Sequence, residues 1–297
     1  MTTFSAGEAA FEGFRLSREQ PRTILVWAIF HFVVSVVSAL VLISMSGDVL
    51  ELMERSDELT PDEVTQMMMG LAPSTVVLAP LGLAVMAVIA AAVYRLHLRP
   101  QEAGLGYLRL GADEVRLAAL TIIYYFLSLI GLLALIFLSG VAAGIAAVIG
   151  AGSGGLVAIG VFTFCLGLWL FTLVRLSLAP VITFDTRRLS VFESWRLTKG
   201  RFLGLFGAYV LAVATIIVVS LLMMVIFTAV AGVITVMGGG SIQDVSAVFQ
   251  PDLSSVGAYF SVQTVAYLIF NALIMAIYYP VLLSPQVVAY RAFREAP

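Results

Sequence analysis

Long apolar runs alternate with short polar connectors along this chain, and their spacing predicts its architecture. A bilayer core is roughly 30 Å thick, so about 20 uncharged apolar residues suffice for one helical crossing. Six crossings are predicted, at approximately 23–46, 73–98, 117–140, 156–179, 202–230 and 261–284. The first is roughly twice the length of a signal-peptide apolar region and reads as a retained span. Leu117 to Val174 carries no charge over 58 residues. That is too long for one crossing, and two joined by the turn Gly150-Ala-Gly-Ser-Gly-Gly155 fit it. The predicted fold is an all-α polytopic membrane protein. Residues 1–22 form a cytoplasmic interfacial helix, 23–284 the transmembrane domain and 285–297 a cytoplasmic tail.

The connectors carry start and stop signals. Ser190 and Glu193 spell a capping box, predicting a helix from Val191, and Gly200 offers a left-handed stop. Val191, Phe192 and Trp195 share one face, with Arg196 and Lys199 beside it, the pattern of a helix lying in a membrane interface. Ser5 and Glu8 make a similar box. Thr60-Pro-Asp-Glu63 makes a third, predicting a short helix to about Gly70, separate from the crossing that begins near Pro73. Pro80 and Gly82 predict a kink in that second crossing.

Composition agrees with a lipid-solvated chain: 61% of residues are hydrophobic and 11% charged, against roughly 25% charged in soluble domains. The net charge of −2 hides a strict sorting. Fifteen of the sixteen Lys and Arg fall on the side of the termini and the even connectors, and only Arg55 falls opposite, among nine acids. The positive-inside rule then predicts cytoplasmic N and C termini.

The same landmarks suggest three hairpins of parallel topology. Phe11-Glu-Gly-Phe-Arg-Leu-Ser-Arg18 matches Phe192-Glu-Ser-Trp-Arg-Leu-Thr-Lys199 with four identities in eight positions. Tyr107-Leu-Arg-Leu110 stands in the equivalent place of the middle unit. Each returning helix is predicted to end in Leu-x-Pro, at Pro100, Pro180 and Pro285. The small-residue tract Gly140-Val-Ala-Ala-Gly144 would let another helix approach closely.

Candidate chemistry is sparse. The Gly150–Gly155 stretch fits G-x-G-x-x-G but lacks a preceding strand and a ribose-binding acid, and it misses the serine-hydrolase elbow by its first residue. His31, His97 and Cys165 are too few and too scattered to assemble a metal site. His31, Asn271 and Gln263 are the intramembrane polar groups. They read either as hydrogen-bonding glue between helices or, with Tyr124, as the lining of a carrier's cavity. No acid falls within a predicted crossing, which disfavours ion-coupled transport. The cytoplasmic cations Arg15, Arg18, Arg109, Arg196, Lys199 and Arg201, with Trp195, form a collar. It serves either topology alone or contact with anionic lipid or an acidic partner.

Over Arg175-Leu-Ser-Leu-Ala-Pro-Val-Ile-Thr-Phe-Asp185 and Ser194-Trp-Arg-Leu-Thr-Lys-Gly-Arg-Phe202, the chain resembles a bacterial family. It looks like the six-helix membrane domain fused to some glycerophosphodiester phosphodiesterases, and like that domain's stand-alone relatives. The similarity is clearest over residues 95–210, and the chain ends at Pro297 without the catalytic domain of the fused members. The resemblance implies a bacterial inner-membrane protein with a non-catalytic, lipid-associated or scaffolding role. The expectation is a scaffold or complex subunit without cofactor, partnered by membrane lipids and by another membrane protein or a second copy, and not by nucleic acid. The alternative is a lipid or small-molecule carrier.

Overall fold

The computed structural model describes residues 4–54, 60–148, 154–237, 245, 249, 252–253 and 255–295. Arg55, Asp57, Glu58, Asp244 and the expected glycine-rich turn at 150–153 lie outside the described residues. Within them the chain is all-α. Its helices are α1 (Ala6–Glu19), α2 (Pro21–Glu54), α3 (Pro61–Leu98), α4 (Ala112–Val148) and α5 (Gly154–Leu176), followed by α6 (Ala179–Thr186), α7 (Glu193–Leu197), α8 (Phe202–Met237), α9 (Val256–Tyr259) and α10 (Val262–Glu295). Two 3-10 turns, Pro100–Glu102 and Leu105–Tyr107, link α3 to α4. Among the described residues six helices are long and apolar enough to cross a membrane: α2, α3, α4, α5, α8 and α10. This is a multi-pass membrane protein.

Most of these helices run past the predicted crossings, because backbone hydrogen bonding does not stop where hydropathy falls. Thr60 caps α3 reciprocally with Glu63, as expected, but no break follows near Gly70. Pro73 and Pro80 both lie inside one continuous helix, with the Ser74 and Thr75 hydroxyls donating to Leu71 O beside the first proline. Pro285 does not end α10 either; the helix continues to Glu295. Here the expected cytoplasmic tail is helical, held where Tyr290 and Arg294 both reach Asp185 at the end of α6. Pro180 does mark a break, since α5 ends at Leu176 and Pro180 sits in the first turn of α6.

The predicted Ser190 cap does not form. The helix begins at Glu193 with Phe192 before it and no side-chain cap. Ser190 is drawn to α6 instead, its backbone N–H donating to Thr183 Oγ1 at 3.1 Å. Gly200 does take the left-handed conformation, at φ +76°, and turns the chain into α8. Ser5 accepts from Glu8 N and starts α1 as expected.

Burial is concentrated at the end of the bundle that carries both termini, the 3-10 turns and α6–α7. Trp27, Tyr94, Phe184, Leu178, Val287 and Phe293 form one cluster there. By contrast, few residues in the spanning windows of α5 and α8 are buried inside the protein. Close backbone contact occurs at Gly13, where a Cβ would collide with Val281 Cα and Pro280 O. A second tight approach sets Gly131 against Trp169. Gly140 and Gly144, the expected contact tract, face open space, and among the described residues no helix uses them.

Candidate functional site

The packed end is organised by arginines. Arg95, near the end of α3, donates to Tyr107 O and to Glu114 of α4, both at 2.6 Å. Arg95 and Glu114 retain 2% and 4% exposure, so this is a buried ion pair. Arg95 Nε adds a 3.5 Å contact with Glu102. One turn further on, Arg99 pairs with Asp113 at 3.0 Å, donates to Phe184 O and lies over the Phe184 ring. Asp113 also holds Arg116 at 2.6 Å. These bonds fasten the connector between α3 and α4 to the helices on either side. Trp27 of α2 adds a donation to Gly106 O at 2.7 Å.

Arg175, near the end of α5, plays the matching part for α7. Its Nη2 donates to Trp195 O at 2.7 Å, and its guanidinium lies over the Trp195 and Phe171 rings. Ser194, fully buried, donates from Oγ to Arg175 O and accepts from Leu178 N, closing the break between α5 and α6. Thr198 Oγ1 donates back to Ser194 O. In α1 the equivalent bond joins Ser17 Oγ to Gly13 O at 2.8 Å.

The expected collar divides into two classes. Arg201 is already engaged, donating to Phe293 O and lying 4.8 Å from the Phe293 ring centroid, so it fastens α8 to α10 and is withdrawn from the collar. Arg15 is exposed but paired with Glu12 and Glu19, and the hydrogen bond it donates to Glu12 raises its pKa above the usual arginine value. Arg109 is exposed and pairs with Glu102. Arg18, Arg196 and Lys199 are exposed and make no ion pair among the described residues. Arg22, Arg187 and Arg188 behave the same way and were not anticipated. Trp195 is partly exposed beneath Arg175.

The intramembrane polar residues do not converge. His31 is buried and stacks on Tyr279, with ring centroids 5.1 Å apart, and its Nε2 has no hydrogen-bond partner. Its contribution to packing is therefore ring stacking in place of the expected hydrogen bond. Asn271 is half-buried and Gln263 exposed, and neither enters a hydrogen bond among the described residues. Tyr124 donates to Leu176 O and lines a cavity of about 200 Å³ between α4, α5 and α10. Ser128, Trp169, Thr172, Ser177 and Gln286 also line it, whereas His31, Asn271 and Gln263 do not.

Arg95, Glu114 and Arg175 are the residues that sequence reasoning missed. A usable signal was present. Arg95-Leu-His-Leu-Arg-Pro100 and Arg175-Leu-Ser-Leu-Ala-Pro180 share Arg-Leu-x-Leu-x-Pro, of which only the last three positions had been weighed. Among the described residues no group of three or more His, Cys, Asp or Glu is placed to hold a metal ion. The chain matches no family model, no curated protein and no solved structure.

Proposed function

We propose that this protein is a non-catalytic scaffold or subunit of a membrane complex in a bacterial inner membrane, lipid-associated through its cationic connectors. The observation that carries the reading is the division of labour among its cations. Arg95, Arg99, Arg175 and Arg201 are spent on internal carbonyls and carboxylates. Arg18, Arg22, Arg187, Arg188, Arg196 and Lys199 stay exposed at the same end and make no ion pair among the described residues. Cations near an anionic leaflet contribute roughly 1 kcal/mol each, so four together would hold an anionic surface firmly. The positive-inside asymmetry supports a cytoplasmic location for this end and both termini.

Three hairpins of parallel topology, each opened by an interfacial segment, complete the proposal. Arg95 and Arg175 both donate to the backbone carbonyl of the aromatic residue in the connector that follows, Tyr107 and Trp195. Gly13 and Ser194 both sit on the backbone of a returning helix, Gly13 at Pro280 of α10 and Ser194 at Arg175 of α5. On this view α1 closes a ring by packing on the last helix. The similarity to the membrane domain of glycerophosphodiester phosphodiesterases belongs to the same proposal.

The test is gentle-detergent purification with identification of co-purifying proteins and lipids, repeated on Arg196→Gln with Lys199→Gln. Binding to anionic lipid or partner should fall while expression and topology persist. Unchanged binding with intact folding would reduce these cations to topology signals. A carrier is the second reading, favoured by the hydroxyl-lined cavity at Tyr124. Loss of a co-purifying small molecule on Tyr124→Phe with Ser128→Ala would support it.

A further inference from the structure

Arg95 and Arg175 occupy matching places in the Arg-Leu-x-Leu-x-Pro motif, yet their electrostatic surroundings differ. Arg95 has Glu114 at 2.6 Å and Glu102 at 3.5 Å. Arg175 retains only 6% exposure and has no carboxylate partner among the described residues. Its Nη2 donates to Trp195 O, while Nε is sealed from solvent without a hydrogen-bond partner. Nη1 makes no hydrogen bond within the described residues. The rings of Trp195 and Phe171 cover the guanidinium but bring no charge. A buried cation without a counter-charge is costly, and two π faces compensate only part of that cost. The missing partner is an anion.

We infer that Arg175 is the centre of a binding site for the phosphate of an anionic glycerophospholipid, entering between α5 and α8. The surroundings select this occupant. The two helices touch through few residues, with Phe171 of α5 against Phe202 of α8 at 4.9 Å and Phe202 stacked on Phe206. Beyond this aromatic step both helices expose apolar side chains to the bilayer, Phe164 and Leu168 on α5 and Val210 and Val213 on α8. An acyl chain fits that surface, while a soluble anion or an acidic peptide would leave it uncovered. Exposed Arg196 and Lys199 lie on and just after α7, next to Trp195, and add positive charge at headgroup level. Glu193 is the acid on the same short helix and is also exposed. The excess of cations discriminates against zwitterionic lipids, whose choline or amine would meet like charge. Trp195 and the phenylalanines mark the interfacial depth at which phosphates reside.

This inference rests on the lipid-associated part of the proposed function and is independent of any protein partner. Native mass spectrometry of the full chain, released from mild detergent and titrated with defined lipids, tests it. Phosphatidylglycerol should occupy one tight site at least ten-fold more strongly than phosphatidylcholine with the same acyl chains. Arg175→Gln should abolish the one tight site, leaving only the weaker preference that Arg196 and Lys199 confer. Because Arg175 also holds Trp195 O, Phe171→Glu serves as the second variant. It supplies a carboxylate beside the guanidinium, as Glu114 does for Arg95, and should expel phosphatidylglycerol while size-exclusion behaviour is retained. Where Arg175→Gln does not fold, Phe171→Glu alone decides. Equal affinity of the wild-type chain for the two lipids, or full phosphatidylglycerol binding by folded Phe171→Glu, would overturn the assignment. So would displacement of the lipid by inorganic phosphate at equal concentration, which would mark a free-anion site. Failure of the collar reading looks different: Arg196→Gln with Lys199→Gln leaves membrane and partner binding unchanged while the tight site persists.

Discussion

Arg95 and Glu114 meet at 2.6 Å with both side chains nearly sealed from solvent, joining the end of α3 to the start of α4. A buried pair of this kind is asymmetric in its energetics. Removing one partner strands the other charge and costs about 3–5 kcal/mol, whereas replacing both with apolar groups is often close to neutral. Glu114→Gln should therefore lower the unfolding midpoint in detergent, toward the low end of that range because Glu102 remains 3.5 Å from Arg95. Arg95→Met combined with Glu114→Leu should recover part of the loss. A double variant worse than both singles would contradict this account.

Two serines four residues apart give a sharp contrast. Ser190 was expected to cap a helix, but its hydroxyl makes no hydrogen bond among the described residues. Ser194 both donates to Arg175 O and accepts from Leu178 N while fully buried. Ser190→Ala should leave stability within about 0.5 kcal/mol of the parent, because the buried hydroxyl it removes makes no hydrogen bond among the described residues. Ser194→Ala should cost about 1–3 kcal/mol, the penalty for leaving a buried polar group unpaired. Chemical denaturation of the two variants side by side measures the difference. Equal losses would restore the capping reading.

The approach of α1 to α10 leaves no room for a side chain at Gly13. Backbone atoms cannot rotate away as a flexible side chain would. Gly13→Ala should cost about 1–3 kcal/mol in overpacking and should loosen α1 from α10. Limited proteolysis would report it, with cleavage near Gln20 appearing in the variant and absent in the parent. Gly140→Ala, which faces open space, is the matched control and should be silent.

Topology is directly measurable. Reporter fusions near residues 105, 190 and 295 should give cytoplasmic signals, and fusions near 60 and 245 external ones. A cytoplasmic signal from the segment between α2 and α3 would remove the orientation on which the lipid-facing collar depends.

The crossings were legible in the sequence because an uncharged run of more than 20 residues has few alternatives to a helix in lipid. The helix ends were harder to read. Pro285 looks like a stop, yet it lies inside α10 because tertiary contacts from Tyr290 and Arg294 to Asp185 hold the following turns helical. Ser190 and Glu193 satisfy a local spelling rule, but Thr183, seven residues earlier, wins the backbone N–H of Ser190. Arginines near helix ends usually snorkel to water, so nothing local to Arg95 or Arg175 signals burial. Their burial depends on Tyr107, Glu114 and Trp195 folding back over them, which no single helical pattern encodes.

Because α8 is last buried at Ala212 and runs on to Met237, its outer part is a lever about 38 Å long, at 1.5 Å per residue, hinged on the arginine-bound end. Along that length it meets α10, with Phe227 stacked on Phe270 at 4.3 Å between ring centroids. A tilt of roughly 5° at the hinge would carry the tip about 3 Å sideways at that length. Any such tilt would slide the Phe227 ring across Phe270, so the two ends of the bundle are joined through one continuous helix.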